Sequence, residues 1–325
     1  MAIQAPAPSR PAATRHRPVS RRRLSVRQRL RRDGMLLILA LPGVGVLALF
    51  EYAPLLGNVI AFKDYQPFLG IVESPWVGLQ NFMVIFNGDA QFLNALKNTL
   101  IITALQVVFV FPAPIALALL LNSLLSERIK RIVQSILYLP HFLSWVIVVA
   151  IFQQILGGSG MINNWLRSDG RSTVDIIGNP DLFVGLLTTQ VMWKETGWAT
   201  IIFLAALSQI DAGLYEAASV DGAGRWRQLW HVTLPGLRAV IILLFILRLG
   251  DALTVGFEQI ILQQGAVGLR TSEVLDTYVY NNGIINGQWG VAAAVGLFKG
   301  LVGVALVLGA NKVAHLFGER GVYQK

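Results

Sequence analysis

The chain has 325 residues, with 27 Lys and Arg against 18 Asp and Glu, yet only 14% of its residues are charged and its mean hydropathy is +0.57. Soluble domains carry about 25% charged residues, so the composition excludes an ordinary water-soluble globule. The absence of cysteine excludes a disulfide framework, an Fe–S centre and a Cys-ligated zinc site, and it leaves the redox compartment open.

Residues 1–34 form a basic tail. Ten arginines precede residue 33, from Arg10 to Arg32, and no Asp or Glu accompanies them. Such a stretch cannot build a core, so it is expected to be disordered, to hold the first span with its start inside, and to touch anionic membrane lipid. A transit peptide has a similar composition. A signal peptide fits less well, because no small-residue cleavage site follows Leu49. The rest, 35–325, reads as one transmembrane domain. Asn98–Ser126 and Ile132–Leu166 contain no charged residue, and a helix crosses the hydrocarbon core in roughly 20 residues. Apolar runs place six spans at about 35–60, 98–122, 134–156, 183–207, 237–257 and 289–311.

The basic residues orient these spans. With the tail, the loops after the second and fourth spans and the C-terminal segment on one side, that side holds 19 of the 27 Lys and Arg. Cytoplasmic loops carry the excess of Lys and Arg, so both termini are expected in the cytoplasm. The net charge of +9 thus sits beside membrane spans, which argues against nucleic acid as a partner.

Along the chain, Trp76-Val77-Gly78-Leu79-Gln80-Asn81-Phe82 lies in the outer loop. It suits either an interfacial anchor or a partner contact. Gly157-Gly158-Ser159-Gly160 matches the G-x-S-G of intramembrane serine proteases. Catalysis there needs a histidine within reach of Ser159. His231 and His315 fall at the opposite face, roughly 30 Å away, and His141 lies far along the helix axis. A glycine-rich turn is the better account. No G-K dipeptide is present, so the chain has no phosphate-binding P-loop.

The polar segment 208–236 between the fourth and fifth spans is the most informative. Ser208 and Asp211 can cap a helix start, and Leu214 to Val220 continue it. Ala217 and Ala218 let another backbone come close. Gly222 suits a left-handed helix end. A second short helix then presents Trp226, Leu229 and Trp230, and Pro235 is placed in the first turn of the fifth span.

Glu216-Ala217-Ala218, Asp221-Gly222-Ala223 and Leu234-Pro235 together resemble the EAA loop of bacterial ABC importer permeases. Leu229, Val232 and Gly213 depart mildly from that pattern. Trp76–Phe82, Ser135-Ile136-Leu137-Tyr138-Leu139-Pro140, Gly256-Phe257-Glu258-Gln259, Asp276-Thr277-Tyr278-Val279-Tyr280 and Gly296-Leu297-Phe298-Lys299 are similar to the poly- and oligosaccharide branch. The resemblance covers most of residues 76–325. It implies the type I ABC importer fold, an all-α bundle in the bacterial inner membrane, and a permease subunit that supplies half of a carbohydrate passage. It also implies a dimer of ATPase subunits inside, a similar or identical second permease, and an extracytoplasmic solute-binding protein. ATP and Mg would belong to the ATPase; the chain itself would bind no cofactor or metal and would not be an enzyme. Glu216, Ala217, Ala218, Asp221, Gly222, Ala223, Leu234 and Pro235 are the implied ATPase-coupling residues.

Charges also fall inside spans: Lys194, Glu195, Arg248, Asp251 and Lys299. Each costs at least ~2.5–3.5 kcal/mol at mid-membrane, so each is expected to face a bundle interior or a wet cavity. Arg248 and Asp251, three apart, can pair on a helix; Lys194 and Glu195, being adjacent, are expected to point apart. Internal ion pairing is one reading. A cationic lining for an acidic sugar such as an alginate-like oligouronate is the other. With Tyr138, Trp145, Trp193 and Tyr278, which can stack on sugar faces, Arg248, Asp251 and Lys299 are the candidate substrate-path residues; Trp289 is a further aromatic. An ion-coupled secondary transporter is the alternative class, and it would need no docking loop.

Overall fold

A computed structural model describes residues 33–124, 126–316, 318 and 321. The expectation of a disordered tail falls on residues outside this set. The described residues are helical with short connections, and their one strand-like contact is an antiparallel bridge between Lys63 and Trp76. Two compact units divide the chain at Gly57 and Asn58. In the first, helix Gly34–Leu47 passes through a π-turn at Ala48–Tyr52 into helix Ala53–Gly57.

Among the described residues, five helices are long and apolar enough to span a membrane: α1 (Gly34–Phe62), α2 (Ala90–Asn122), a segment at Trp145–Ser168, and two more at Arg225–Gly250 and Trp289–Leu316. A sixth is reached by taking Pro180–Leu207 together with Ala212–Val220, across a bend of 71°. In chain order the helices after α2 are α3 (Glu127–Tyr138), α4 (Trp145–Leu156), α5 (Met161–Ser168), α6 (Pro180–Leu207), α7 (Ala212–Val220), α8 (Arg225–Gly250) and α9 (Trp289–Leu316).

Each expected span therefore has a helix, but several boundaries move, the second span starting at Ala90 and not at 98. The third does not run unbroken from 134. α3 ends at Tyr138, Leu139–Phe142 form a 3₁₀ turn around Pro140, and Ser144 starts α4 afresh by accepting from the Ile147 amide. The fifth begins at Arg225, well before 237, and stops at Gly250.

Proline explains how the helices stay continuous. A proline inside a helix lacks a donor and its ring strikes the carbonyl four residues back. Here π-turns at Ala48–Tyr52, Gln106–Val110 and Leu229–Thr233 each precede a proline by two residues: Pro54, Pro112 and Pro235. A π-turn shifts the hydrogen bond to the fifth residue, which removes the carbonyl from the ring's way. Pro235 thus stands in the first turn of the α-helical stretch Leu234–Gly250, as expected, although α8 as a whole begins upstream at Arg225.

α6 is the central helix of the second unit. Its Phe203 and Leu207 pack with Ala118 of α2 and Leu237 of α8. Further along, its Phe183 and Leu187 pack with Ile102 of α2 and with Val255, Ile260 and Val274. The last three belong to 251–288, where the chain breaks into short helices, of which Phe257–Ile261 and Leu275–Tyr280 carry buried residues into the bundle. Broken backbone is tolerated at membrane depth only where protein satisfies it. Three buried glutamines do part of this. Gln259 donates to the Leu187 carbonyl (3.0 Å) and to Gln190 (2.6 Å), Gln263 donates to Gln190 (3.0 Å), and Gln190 donates back to Gln263 (3.1 Å).

The W-x-G-x-x-N-F segment is an internal brace. Trp76 stacks on Phe62 at 5.7 Å, and Asn81 donates to the carbonyls of Ala61 (3.0 Å) and Lys63 (2.9 Å). Gly290 at the start of α9 lies so close to Asn81 that a Cβ there would overlap it.

Candidate functional site

The loop end of α6 and α8 carries the first group of candidate residues. Asp211 accepts from the Gly213 amide at 2.9 Å and starts α7, as expected. Ser208 is not part of that cap. It closes the end of α6, and its hydroxyl donates to the Ala205 carbonyl. α7 ends in a Schellman motif: Ala223 N–H donates to the Ala218 carbonyl (2.8 Å) and Gly222 N–H to the Ser219 carbonyl (3.1 Å). This closure needs a left-handed residue, and Gly222 supplies it with φ +75°. The Ala-Ala and Asp-Gly-Ala strings are therefore the last turn and the C-terminal closure of one capped helix.

Glu216, Ala217, Asp221 and Gly222 are all exposed, while Ala218 and Ala223 are half-buried. Leu234 is half-buried and Pro235 exposed on α8. Trp226 and Trp230 stand 76% and 62% exposed beside them, so the apolar face is turned outward. Tyr215, Ser219, Gln228 and Thr233 hold α7 against α8, a role that was not read from the sequence for any of them. Tyr215 Oη and Thr233 Oγ1 are 3.0 Å apart, and Gln228 Nε2 donates to Ser219 Oγ at 2.9 Å and to the Ala223 carbonyl at 3.0 Å. Nothing local singles them out, because each pair meets only after the chain has turned at Gly222.

The intramembrane charges are arranged otherwise than expected. Arg248 does not bond Asp251; it donates to Gln106 in the π-turn of α2. The i,i+3 argument assumed a continuing helix, but α8 ends at Gly250 and Asp251 is its C-cap. Lys299 pairs with Asp276, which the sequence offered only as part of the Asp276–Tyr280 string and not as a charge partner. Lys194 and Glu195 do not diverge. Nζ of Lys194 is 3.5 Å from Glu195 Oε1 and donates to the His141 carbonyl (2.6 Å), while His141 Nδ1 lies 2.8 Å from Glu195 Oε2. The break at 139–144 brings His141 between them, and its ring stacks on Trp198 at 4.6 Å.

Asp251, Asp276 and Lys299 meet at a cavity of about 830 Å³ between α8 and α9, walled also by Thr254, Gly296 and Gly300. Arg248 does not line it. Nor does the structure gather the aromatic candidates there. Trp145 lies against Lys194, with the ammonium 5.6 Å from its ring, and Trp193 packs edge-on to Phe152 while 41% exposed. Tyr138 is half-buried at the end of α3, and Trp289 lines a separate cavity of about 510 Å³ that also reaches Asp276. Tyr278 is 2% exposed and edge-on to Phe92, a core residue with no surface to offer a sugar. Burial, with Asp89 and Glu273 adding, pushes its phenol up to about 12.

The 157–160 segment is a turn. Gly160 N–H donates to the Gly157 carbonyl (2.8 Å), and Asn163 and Asn164 donate to the carbonyls of Gly157 and Ser159. His141 and His231 are engaged with Glu195 and with the Arg227 carbonyl.

A helical bundle with several membrane-length helices, an exposed capped loop helix and satisfied internal charges defines a multi-pass membrane permease. The model of binding-protein-dependent transport system inner membrane components matches residues 110–318, and the chain belongs to this family. The polygalacturonan/rhamnogalacturonan transport system permease protein YteP of Bacillus subtilis (strain 168) is 47% identical over 89% of this chain and 90% of its own. Protein LplB of the same organism is 44% identical over 90% and 92%. Among solved structures, a bacterial alginate ABC transporter in complex with alginate pentasaccharide-bound periplasmic protein superposes with a TM-score of 0.82. Identity there is 36%, with 91% of this chain and 99% of that one covered. The chain is an inner-membrane permease component of an ABC transport system.

Proposed function

We propose that this chain forms half of the passage of an ATP-driven importer of acidic oligosaccharides. ATP and Mg act on a pair of separate ATPase subunits, a second permease completes the passage, and an extracytoplasmic binding protein delivers the sugar. Both termini and the 208–236 loop face the cytoplasm in this reading, in line with the excess of Lys and Arg there.

The observation that carries the coupling reading is α7. It is a short helix, capped at both ends, with Glu216, Ala217, Asp221 and Gly222 exposed at the bend between two spans. A membrane protein gains nothing for its own core from such a helix, so docking of a partner accounts for it. The acidic-sugar reading is supported by the substrates for which two relatives are named, polygalacturonan/rhamnogalacturonan and alginate. The cavity at Asp251, Asp276 and Lys299 is the candidate contact. Lys299 is held by Asp276 there, so hydroxyl recognition by the carboxylates is the chemistry it offers, and acid selection falls to the binding protein.

The test is affinity purification of the tagged chain from its host in mild detergent, with mass spectrometry of what accompanies it. A P-loop ATPase is expected to co-purify and to be lost with Gly222→Val. At φ +75° a side chain costs about 1–2 kcal/mol, and the free space around Gly222 makes the backbone the cause. A stable preparation without an ATPase in several detergents would contradict the reading.

A further inference from the structure

We infer that the π-turn at Leu229–Thr233 is a register device that locks the docking helix α7 to the transmembrane helix α8, so that the two move as one lever through Tyr215, Ser219, Gln228 and Thr233. The inference rests on the docking reading above and adds the parts that would carry its force inward.

The argument is one of helical phase. Tyr215 and Ser219 are four apart on α7 and share a face. Their partners on α8, Thr233 and Gln228, are five apart. Five residues of plain α-helix turn through about 500°, which would leave 228 and 233 roughly 140° apart and allow only one of the two bonds. In α8 the Leu234 N–H reaches the Leu229 carbonyl, the five-residue ring of a π-turn,. The extra residue returns Gln228 and Thr233 to one face, and both bonds form.

Three further observations fit a rigid joint. Thr233 is 6% exposed, so its bond to Tyr215 is shielded from water. Gln228 also donates to the Ala223 carbonyl, which ties the Schellman closure to α8. Ile210 lies so close to Gly236 that a Cβ there would overlap it, and it packs with the cluster around Leu237. A single flexible peptide would let α7 swivel. Two polar rungs, a tied turn and an apolar wedge leave it no independent rotation. Tyr215, Ser219, Gln228 and Thr233 act through α8 and touch neither nucleotide nor sugar; they are positioning residues.

The chain contains no cysteine, which makes the test direct. Thr254 is exposed and lines the cavity between α8 and α9. With Thr254→Cys as a reporter, the rate of maleimide labelling is measured in the complex with its ATPase in lipid nanodiscs, with and without ATP and vanadate. In the parent, nucleotide is expected to change the rate. In Tyr215→Phe/Gln228→Leu the response is expected to shrink about fivefold or more, while the ATPase still co-purifies. Thr233→Ser and Ser219→Thr keep their hydroxyls and are expected to keep the response, which a mere loss of stability would not predict. A full response in the double variant with the ATPase retained overturns the lever and leaves docking standing. An ATPase absent even from the parent complex overturns the docking reading, and the lever with it.

Discussion

The α7 loop and the broken segment 251–288 are both polar, irregular stretches between long helices, and they are built on opposite logic. The loop turns its distinctive residues outward: Glu216, Ala217, Asp221 and Gly222 are exposed, and its helix is closed by its own neighbours at Asp211 and Gly222. The broken segment turns polar residues inward: Gln259, Gln263 and Glu273 are buried and bonded to distant helices. Exposed polarity that is locally satisfied is free to meet a partner. Buried polarity that is satisfied at long range holds the bundle in one arrangement. Substitutions should separate the two: costly to fold in 251–288 and its contacts, costly to coupling but cheap to fold in the loop.

The largest expected effect on stability is at the ion pair. The side chains of Lys299 and Asp276 are only 13% and 18% exposed. Lys299→Met would strand the carboxylate and lower stability by about 3–5 kcal/mol. Lys299→Met/Asp276→Asn should recover most of that, because no charge is then left without its partner. Thermal melting of the detergent-purified protein reads both. Equal losses in the single and double variants would mean that the two charges do not act as a pair.

Next comes the glutamine cluster. Gln190 accepts from both Gln259 and Gln263. Gln190→Leu removes that acceptor and leaves buried donors unsatisfied, at about 1–3 kcal/mol each. Hydrogen exchange should rise first in 257–263, because the short helix Phe257–Ile261 and Gln263 just after it are held to α6 by those bonds. Exchange that rises evenly along the chain would argue against so local a clamp. Of similar size is Gly197→Ala in α6. Its Cβ would overlap the Leu137 carbonyl at the end of α3, and overpacking of this kind costs about 1–3 kcal/mol. An unchanged melting temperature would show that α3 can withdraw from α6.

How much of this was legible in the sequence follows from the same contrast. The span count came from apolar runs, which are local. The helix caps at Asp211 and Gly222 were legible because a capping carboxylate and a left-handed glycine act within a few residues of themselves. The Ser208 cap failed because α6, which ends at Leu207 as expected, takes Ser208 as its own C-cap and bonds that hydroxyl back to the Ala205 carbonyl. The Arg248–Asp251 pair failed because a rule for helix neighbours was applied across a helix end. Lys194 and Glu195 were expected to diverge, and α6 alone would make them do so; His141 draws them together from a break near Pro140. Partners such as Asp276 for Lys299 and Gln106 for Arg248 lie 23 and 142 residues away, a separation at which one sequence carries no pairing signal. The π-turns have a faint signal, a proline two residues beyond each of three.

Arg248 gives the smallest expected effect and the sharpest use of the comparison, because the sequence offered it as a sugar contact and the structure places it as a strut. Its guanidinium reaches Gln106, a residue only 4% exposed, and it does not line the cavity of Asp251 and Lys299. In Arg248→Gln an amide can still donate to Gln106, so the loss in stability should be about 1 kcal/mol or less. If the strut account holds, uptake of an oligogalacturonate and of its carboxyl-reduced, neutral counterpart should fall by the same factor. The two sugars share ring shape and hydroxyls and differ in charge alone, so a helix packing defect cannot tell them apart. A guanidinium that meets the sugar would: its loss would weaken the acidic substrate and spare the neutral one. Selective loss of the acidic sugar would therefore move Arg248 from the bundle's framework into the passage.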